Sequence, residues 1–446
     1  PLIDPEQVSI AYNERAVPKL AELLIYPELT SEKRRDALHT LNELVSHQET
    51  KCDMISNKIV TSATNLMNDQ NPEVRFEAAF LLGSLLFLDV GRLQFDSDKK
   101  NYDIMQKLIF DPETKVRESI GWLLYRLSLH KDGTSMMNES NSISQMVQAF
   151  NKYSVPDLIE ENVIYLLYLL EAIINCSRYD INIRQTLGRG LLNSFNKILE
   201  DTADNYSSKL SKGHYRQMRE LILSACKNIT LTFEGKIEAY KENLIITGSK
   251  FLNSPLEQER LYTSSMFMSV TNILGAKNQI CDFTNAEKYK EKMEQRKQIL
   301  NCEFPEEAER KIIREQKEIK DFAYSDNSIH YEILEKICTL LEDSNYDIRE
   351  NSKLCLQNLS NLPEGFIKII DILHDKLELM DEVFEANSLN GLTDLLPKLS
   401  TYKNPPHVDK EMLPKYTKVI KGIIYFYKKY QEEAIEILTH TTVNIN

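Results

Sequence analysis

The sequence predicts an all-α chain folded as a right-handed superhelical solenoid of short helical repeats. Three observations predict it. The 446 residues include only 13 Gly and 14 Pro, too few for the many tight turns of an all-β protein. Apolar residues recur at helical rather than strand spacing. A short polar junction also returns at a nearly constant interval, which is typical of stacked repeats.

The recurring junction places an aspartate six positions before an arginine, with a β-branched residue directly before the arginine. It runs from Asp69 to Arg75 and again from Asp111 to Arg117, 42 residues later. A proline or asparagine in the junction stops one helix. The acidic residues that follow favour the positive end of the next helix dipole. A later copy and a weaker early copy run from Asp343 to Arg349 and from Glu28 to Arg34.

The helix after each junction is apolar along one face. In the two clearest copies the apolar residues are Ala78, Leu81, Leu82 and Leu85, and Ile120, Leu123, Leu124 and Leu127. A period of about 42 residues, with two or three helices per unit, is the signature of armadillo and HEAT repeats. The predicted fold class is therefore an armadillo/HEAT-type solenoid.

The charged residues of the junctions resemble the ladder of HEAT repeats, in which the turn aspartate of one unit meets the second-helix arginine of its neighbour. We therefore predict that they form structural rungs between repeats. The alternative is an anion-binding site, which requires arginines that face open solvent. The predicted ladder residues are Asp69, Arg75, Asp111, Arg117, Asp343 and Arg349.

The helix that ends a unit often carries an asparagine before its last aliphatic residue. Strings such as the one around Asn228 resemble the third helix of armadillo repeats, where asparagines bind the backbone of an extended guest peptide. An amide suits that role because it offers both a donor and an acceptor. The alternative is an ordinary helix-surface asparagine. The candidate partner-binding residues on the concave face are Asn175, Asn228, Asn272, Asn358, Tyr168 and Arg219.

Three segments are predicted. Residues 1–283 form N-terminal repeats, and residues 323–446 form C-terminal repeats and a cap helix at 411–438. Residues 284–322 are dense in Glu, Lys and Arg and predict a charged helical hairpin. Asn272 and Asn358 are 86 residues apart, which is two periods. The hairpin is therefore either an insertion or one elongated repeat.

Composition excludes several functional classes. The net charge of −13 disfavours nucleic acid as a partner, because phosphate backbones repel an acidic surface. The same charge favours a partner segment that is on balance basic.

Other features of the sequence exclude further classes. No apolar run is long enough for a membrane span, and the spacing of the seven scattered cysteines is typical of core thiols in a reduced compartment. Phosphate loops, nucleophile elbows and metalloprotease motifs are absent from the sequence. We therefore expect no enzyme activity, no small-molecule substrate, no metal and no cofactor.

The N-terminal fifth of the chain resembles a ciliary family, the radial spoke head protein fourteen homologues. This resemblance implies an armadillo-repeat structural subunit of the radial spoke that binds other spoke subunits. It also implies a location in the cytoplasm and in the axoneme of cilia or flagella. The clear likeness covers residues 3 to about 95. The segments that carry it are Ile3-Asp4-Pro5, Ile10-Ala11-Tyr12, Arg15 to Leu20, Pro27-Glu28-Leu29, Ala37-Leu38, Glu43-Leu44-Val45 and Val90-Gly91-Arg92.

Two other functions share the predicted fold. A transport receptor of the importin-α class reads basic signals with a Trp-x-x-x-Asn array. The single tryptophan here, Trp122, is followed four residues later by Arg126 instead. A soluble adaptor or assembly factor that binds extended peptide segments is the other alternative, and the sequence leaves it open.

Overall fold

The structure is a computed structural model that describes residues 16–154, 158–200, 210–281 and 331–360, with scattered residues between 365 and 383. Every regular element in those ranges is a helix. The prediction of an all-α solenoid is confirmed. The chain divides into two compact units, residues 1–229 and residues 230–446. The expected boundaries at 283 and 322, Cys302 and the cap helix at 411–438 lie outside the described residues.

The described part of unit 1 contains fourteen helices, which group into repeats of two short helices and one longer third helix. In chain order, the third helices of unit 1 are α2, α5, α8, α11 and α14. In chain order the helices are α1 (16–24), α2 (Ser31–Leu44), α3 (Gln48–Ser56), α4 (Ile59–Leu66), α5 (Pro72–Leu85), α6 (Asp89–Asp96), α7 (Lys100–Leu108), α8 (Thr114–Ser128), α9 (Lys131–Glu139), α10 (Ser142–Ser154), α11 (Glu160–Cys176), α12 (Asp180–Ile183), α13 (Leu191–Glu200) and α14 (Lys212–Ile229).

The third helices begin where the sequence predicts. Before α5, the Asn71 side chain accepts a hydrogen bond from the Glu73 N–H at 2.9 Å, and Pro72 occupies the first turn. This is the preferred chemistry at a helix start, because it satisfies an orphan N–H and places proline where no N–H is needed. Before α8, Asp111 accepts from the Glu113 N–H at 2.9 Å.

The third helices of unit 1 pack side by side in chain order, α2 on α5, α5 on α8, α8 on α11 and α11 on α14. Their predicted apolar faces form the core, and Leu82 and Leu85 are fully buried. Two glycines permit the close approach of neighbouring helices. A Cβ on Gly83 would lie 2.8 Å from the Trp122 ring, and a Cβ on Gly121 would lie 3.0 Å from the ring of Tyr165.

Unit 2 contains two further repeats among the described residues. The first consists of α15 (Phe233–Lys241), α16 (Leu244–Gly248) with a following 3-10 turn (Ser249–Phe251), and α17 (Glu257–Val270). The second consists of α18 (Leu274–Cys281), α19 (Tyr331–Thr339) with a 3-10 turn (Leu340–Glu342), and α20 (Tyr346–Ser360).

The second repeat of unit 2 bears on whether residues 284–322 are an insertion or an elongated repeat. Its third helix, α20, packs directly on α17, the third helix of the repeat before it. No full repeat therefore separates them, although two periods of sequence do. Residues 282–330 enter the chain between α18 and α19, the first and second helices of one repeat. Of the two alternatives predicted for the charged stretch 284–322, this arrangement favours an insertion within a repeat, and the assignment stays a prediction.

Candidate functional site

The junction aspartates each hold two partners. One carboxylate oxygen accepts the backbone N–H two residues ahead, at 2.9 Å for Asp69, Asp111 and Asp343. The carboxylate also accepts from the arginine that opens the third helix of the preceding repeat. The best formed pair is Arg75 with Asp111, at 2.8 and 2.9 Å. The aspartate thus shapes its own turn and fastens it to the neighbouring repeat.

The same pair of arginine and aspartate recurs in other repeats at different distances. Arg34 lies 3.4 Å from Asp69, and Arg260 lies 2.6 Å from Asp343. Arg260 was not among the predicted ladder residues, because the junction before it has Ser254 where the others have aspartate. It donates to the Ser254 carbonyl at 2.9 Å.

Arg117 and Arg349 differ from Arg75 and Arg260 because neither has a junction carboxylate as a partner among the described residues. Arg117 reaches forward to the Asn162 side-chain oxygen at 2.7 Å, in the first turn of α11. Arg117 and Arg349 also bind the main-chain oxygens of Asp111 and Asp343, each at 2.7 Å. An anion site would need arginines facing solvent, but the Arg75 side chain is only 13% exposed.

Three of the four predicted peptide-binding asparagines reach the end of the preceding third helix. Asn175 donates to the Ser128 hydroxyl at 3.1 Å, Asn228 to the Ile174 carbonyl at 3.3 Å, and Asn358 to the Met268 carbonyl at 3.1 Å. In this geometry each amide links two repeats. Asn175 is only 5% exposed, which leaves a guest peptide little area to contact.

The other three predicted partner-binding residues do not lie together in one site. Asn272 is exposed, lies two residues after the end of α17 and donates to the Met268 carbonyl of that helix at 3.3 Å. The Arg219 guanidinium lies 5.0 Å from the ring of Tyr215, one turn earlier on α14. Tyr168 lies on α11 among aromatic residues of other repeats. A role for these residues in partner binding stays a prediction.

Five half-buried aromatic side chains form a continuous set across three third helices of unit 1. We call this set the aromatic band, and its ring centroids are 5.7–6.1 Å apart from neighbour to neighbour. Its members are Phe76 and Phe80 on α5, Trp122 and Tyr125 on α8, and Tyr168 on α11. Such spacings are within the range of favourable aromatic pairs.

The helical spacing of these residues brings them to one face. Phe76 and Phe80 are four residues apart, and Trp122 and Tyr125 are three apart, so each pair shares a helix face. That face is not the core face. The core residues of the same helices, such as Leu82 and Leu123, are fully buried, whereas all five band residues retain partial exposure. The sequence signal is an aromatic residue one or two positions outside the core stripe in successive repeats.

Two acidic side chains lie on the same third helices, Glu118 on α8 and Glu171 on α11. Burial raises the pKa of both carboxyl groups, opposed by nearby positive charges. Burial also raises the pKa of the Tyr168 hydroxyl, and the negative charge of Glu118 adds to the effect. The band therefore has ionisable groups held in a partly dehydrated environment.

The described residues offer little to metal or thiol chemistry. No grouping of His, Cys, Asp and Glu suited to a metal ion occurs among them. Cys52 is exposed, and the other five described cysteines are buried and form no disulfide. Burial raises the pKa of the Cys176 thiol to about 12, which keeps it protonated at neutral pH. Within the described ranges, none of the helices is both long and apolar enough to cross a bilayer.

Comparison with known proteins supports the fold. No family model matches the chain, and no curated protein matches it. A crystal structure of an engineered protein is similar over 92% of this chain and 98% of its own, with 15% identity and a TM-score of 0.54. A designed armadillo repeat protein covers 57% of this chain and 99% of its own, at 15% identity and a TM-score of 0.48. The first of these two likenesses concerns the fold alone.

Proposed function

We propose that this chain is a protein-binding solenoid and that the aromatic band of unit 1 is where a segment of a partner protein docks. The observation that carries the proposal is the continuity of the band. Five half-exposed aromatic rings touch one another across three repeats, although each helix already has a complete apolar core face.

Physical chemistry favours an interface at such a surface. Aromatic side chains bury a large area at a small cost in conformational entropy, and tyrosine and tryptophan dominate the energetics of protein interfaces. The rings are held by neighbouring helices before any partner arrives, as the close packing of Trp122 on Gly83 illustrates. A surface that is already ordered loses little entropy on binding.

The identity of the assembly is a second part of the proposal. We propose a non-catalytic scaffold subunit of the ciliary radial spoke, with other spoke subunits as partners and the axoneme as its location. The support is the resemblance of residues 3 to about 95 to that family, together with a repeat fold suited to holding partners. The alternative remains a soluble adaptor or assembly factor.

Salt-washed, membrane-free axonemes separate these two roles. A spoke subunit stays with the axoneme after the wash, whereas a soluble adaptor is released with the cytoplasmic fraction. Release of the full-length chain into the wash at moderate salt would remove the spoke assignment and leave the docking proposal standing.

The docking proposal is tested by a double variant, Tyr125→Ser with Tyr168→Ser. Both rings belong to the band and neither is fully buried, so the helices should remain folded by circular dichroism. The matched control is Tyr346→Ser, which removes a tyrosine that is 65% exposed in unit 2. The proposal expects the double variant to lose its partner and the control to keep it. If the wild type, the double variant and the control all retain the partner equally, the docking proposal is contradicted.

A further inference from the structure

Three basic side chains surround the ring of Phe87, which follows α5. The Arg126 guanidinium lies 4.1 Å from the ring centroid, the His130 ring 4.8 Å in an edge-on arrangement, and the Lys51 ammonium 5.9 Å. They come from α8, from the residue before α9 and from α3. We call these four residues the Phe87 cluster.

Two members of the cluster, Arg126 and Lys51, lack an acidic partner among the described residues. Arg126 donates no hydrogen bond to any described residue, and its Nε is buried without an acceptor. Lys51 has no ion pair within the described part of the chain. Asp132, two residues after His130, is already bound by Arg92 at 2.6 Å. Although the whole chain has a net charge of −13, Arg126 and Lys51 place two positive charges around one ring without an ion pair among the described residues.

Burial disfavours the charged forms of Arg126 and His130, and neighbouring positive charges also disfavour that of His130. Burial lowers the pKa of Arg126, and its surroundings supply no carboxylate to oppose that effect. Burial also lowers the pKa of His130, as do the charges of Arg92 and Arg126, while Asp132 opposes them. An anion placed here would supply the charge and the acceptor that these groups lack.

Unlike the ladder arginines, Arg126 has no carboxylate partner among the described residues. Arg75 and Arg260 each bind a carboxylate at 2.6–2.9 Å, and Arg92 does the same with Asp132. The Arg126 guanidinium instead lies 4.1 Å from the Phe87 ring centroid and 5.1 Å from that of Trp122. Stacking orients the guanidinium plane but satisfies none of its N–H groups.

We infer that the Phe87 cluster binds an acidic side chain, Asp or Glu, of the partner segment that docks on the aromatic band. The inference rests on the proposed function, because Arg126 joins the cluster to the band through Trp122. A carboxylate can accept two parallel N–H bonds from one guanidinium, and such charge-assisted pairs are strong and directional. The partner is therefore acidic at this position, although the net charge of the chain alone favours a basic one.

The single tryptophan of the chain is a built-in reporter, because Trp122 belongs to the band and contacts Arg126. The full chain is titrated with the acidic peptide Ac-(Leu-Glu)4-NH2 and, separately, with the basic peptide Ac-(Leu-Lys)4-NH2. The acidic peptide should change Trp122 emission in a saturable manner. Arg126→Gln should weaken its affinity at least about tenfold, the loss expected for a charge-assisted hydrogen bond.

The control is Arg184→Gln, which removes the same charge from an exposed position on unit 1 and should leave the affinity unchanged. Thermal melting of each variant checks that the fold is kept. The inference is overturned if Arg126→Gln binds the acidic peptide as tightly as wild type, or if the acidic peptide leaves Trp122 emission unchanged. A response to the basic peptide alone overturns it as well.

The double variant of the band separates this inference from the proposal beneath it. If Tyr125→Ser with Tyr168→Ser releases the natural partner while Arg126→Gln does not, the band is the docking site and the acidic contact is wrong. If neither variant affects the partner, the docking proposal fails too.

Discussion

The guanidinium of Arg260 lies 2.6 Å from the carboxylate of Asp343, although 83 residues of sequence separate them. This pair joins α17 to the junction before α20 in the same way as Arg75 and Asp111 join α5 to the junction before α8. The rung shows that the two repeats are direct neighbours. A solenoid accepts such an insertion because lengthening a loop adds closure entropy only slowly.

Removing the insertion should therefore leave unit 2 folded. We predict that replacing residues 284–328 by a short Gly-Ser linker preserves the hydrogen-exchange protection of α17 and α20, because their contact does not pass through the removed segment. Loss of protection in α20 alone would mean that the segment is part of the packed repeat. The hydrogen exchange of each segment is compared with that of the same segment in the wild-type chain.

The Arg75 and Asp111 pair should contribute substantially to stability. Arg75→Ala leaves the nearly buried Asp111 carboxylate without its main partner, which costs roughly 3–5 kcal/mol for buried pairs. Urea unfolding followed by circular dichroism measures the loss. The matched control is Arg35→Ala, whose pair with Glu73 at 2.9 Å is exposed, so its effect should be small. Equal effects of both substitutions would contradict a structural ladder.

The Asp343 rung also predicts a pH dependence. Burial by itself raises the pKa of Asp343, but the hydrogen bonds from Arg260 and from the Asn345 N–H outweigh it, so the pKa lies below the usual 3.8. A carboxyl group with a lowered folded pKa stabilises the fold above its unfolded pKa. That contribution is lost as the pH falls through the folded value.

The measurement is the free energy of unfolding in urea between pH 7 and pH 3. Arg260→Gln should lower the stability at pH 7 and flatten its decline toward acid, because the pKa of Asp343 then returns toward its usual value. If wild type and Arg260→Gln lose stability in parallel over this range, the rung does not hold the Asp343 pKa down.

Core packing predicts a local loss of stability. Leu85 is fully buried, so Leu85→Ala should destabilise the protein by about 2–5 kcal/mol. Because repeats interact mainly with their neighbours, hydrogen exchange should first rise in α2, α5 and α8. A uniform rise along the described chain would indicate one undivided cooperative core.

The sequence predicts the junctions well because their chemistry is local. Asp111 and the third helix after it follow from a turn residue, a helix stop and apolar spacing, each visible within ten residues. The position of the insertion is not predictable in this way. A separation of two periods between Asn272 and Asn358 fits a whole repeat as well as an interrupted one. The packing of α20 on α17 and the contact of Arg260 with Asp343 favour the interrupted repeat.

The aromatic band is also beyond single-helix reasoning. Phe80 and Trp122 are 42 residues apart, and the sequence alone does not show that their rings meet. The same limit applies to Asn175, because its amide meets Ser128 rather than open solvent only through the packing of α11 on α8. Periodicity assigns a residue to a helix face but does not say what covers that face.

The central claim is that a partner protein lies on the aromatic band. The most direct test places the photo-crosslinking residue benzoylphenylalanine at Tyr125 in the full-length chain, and at Tyr346 as the exposed control, in cells with motile cilia. The account predicts a crosslink from position 125 to the same protein that Tyr125→Ser with Tyr168→Ser fails to retain, and none to that protein from position 346. A crosslink to that protein from position 346 alone, or from neither position, would contradict it.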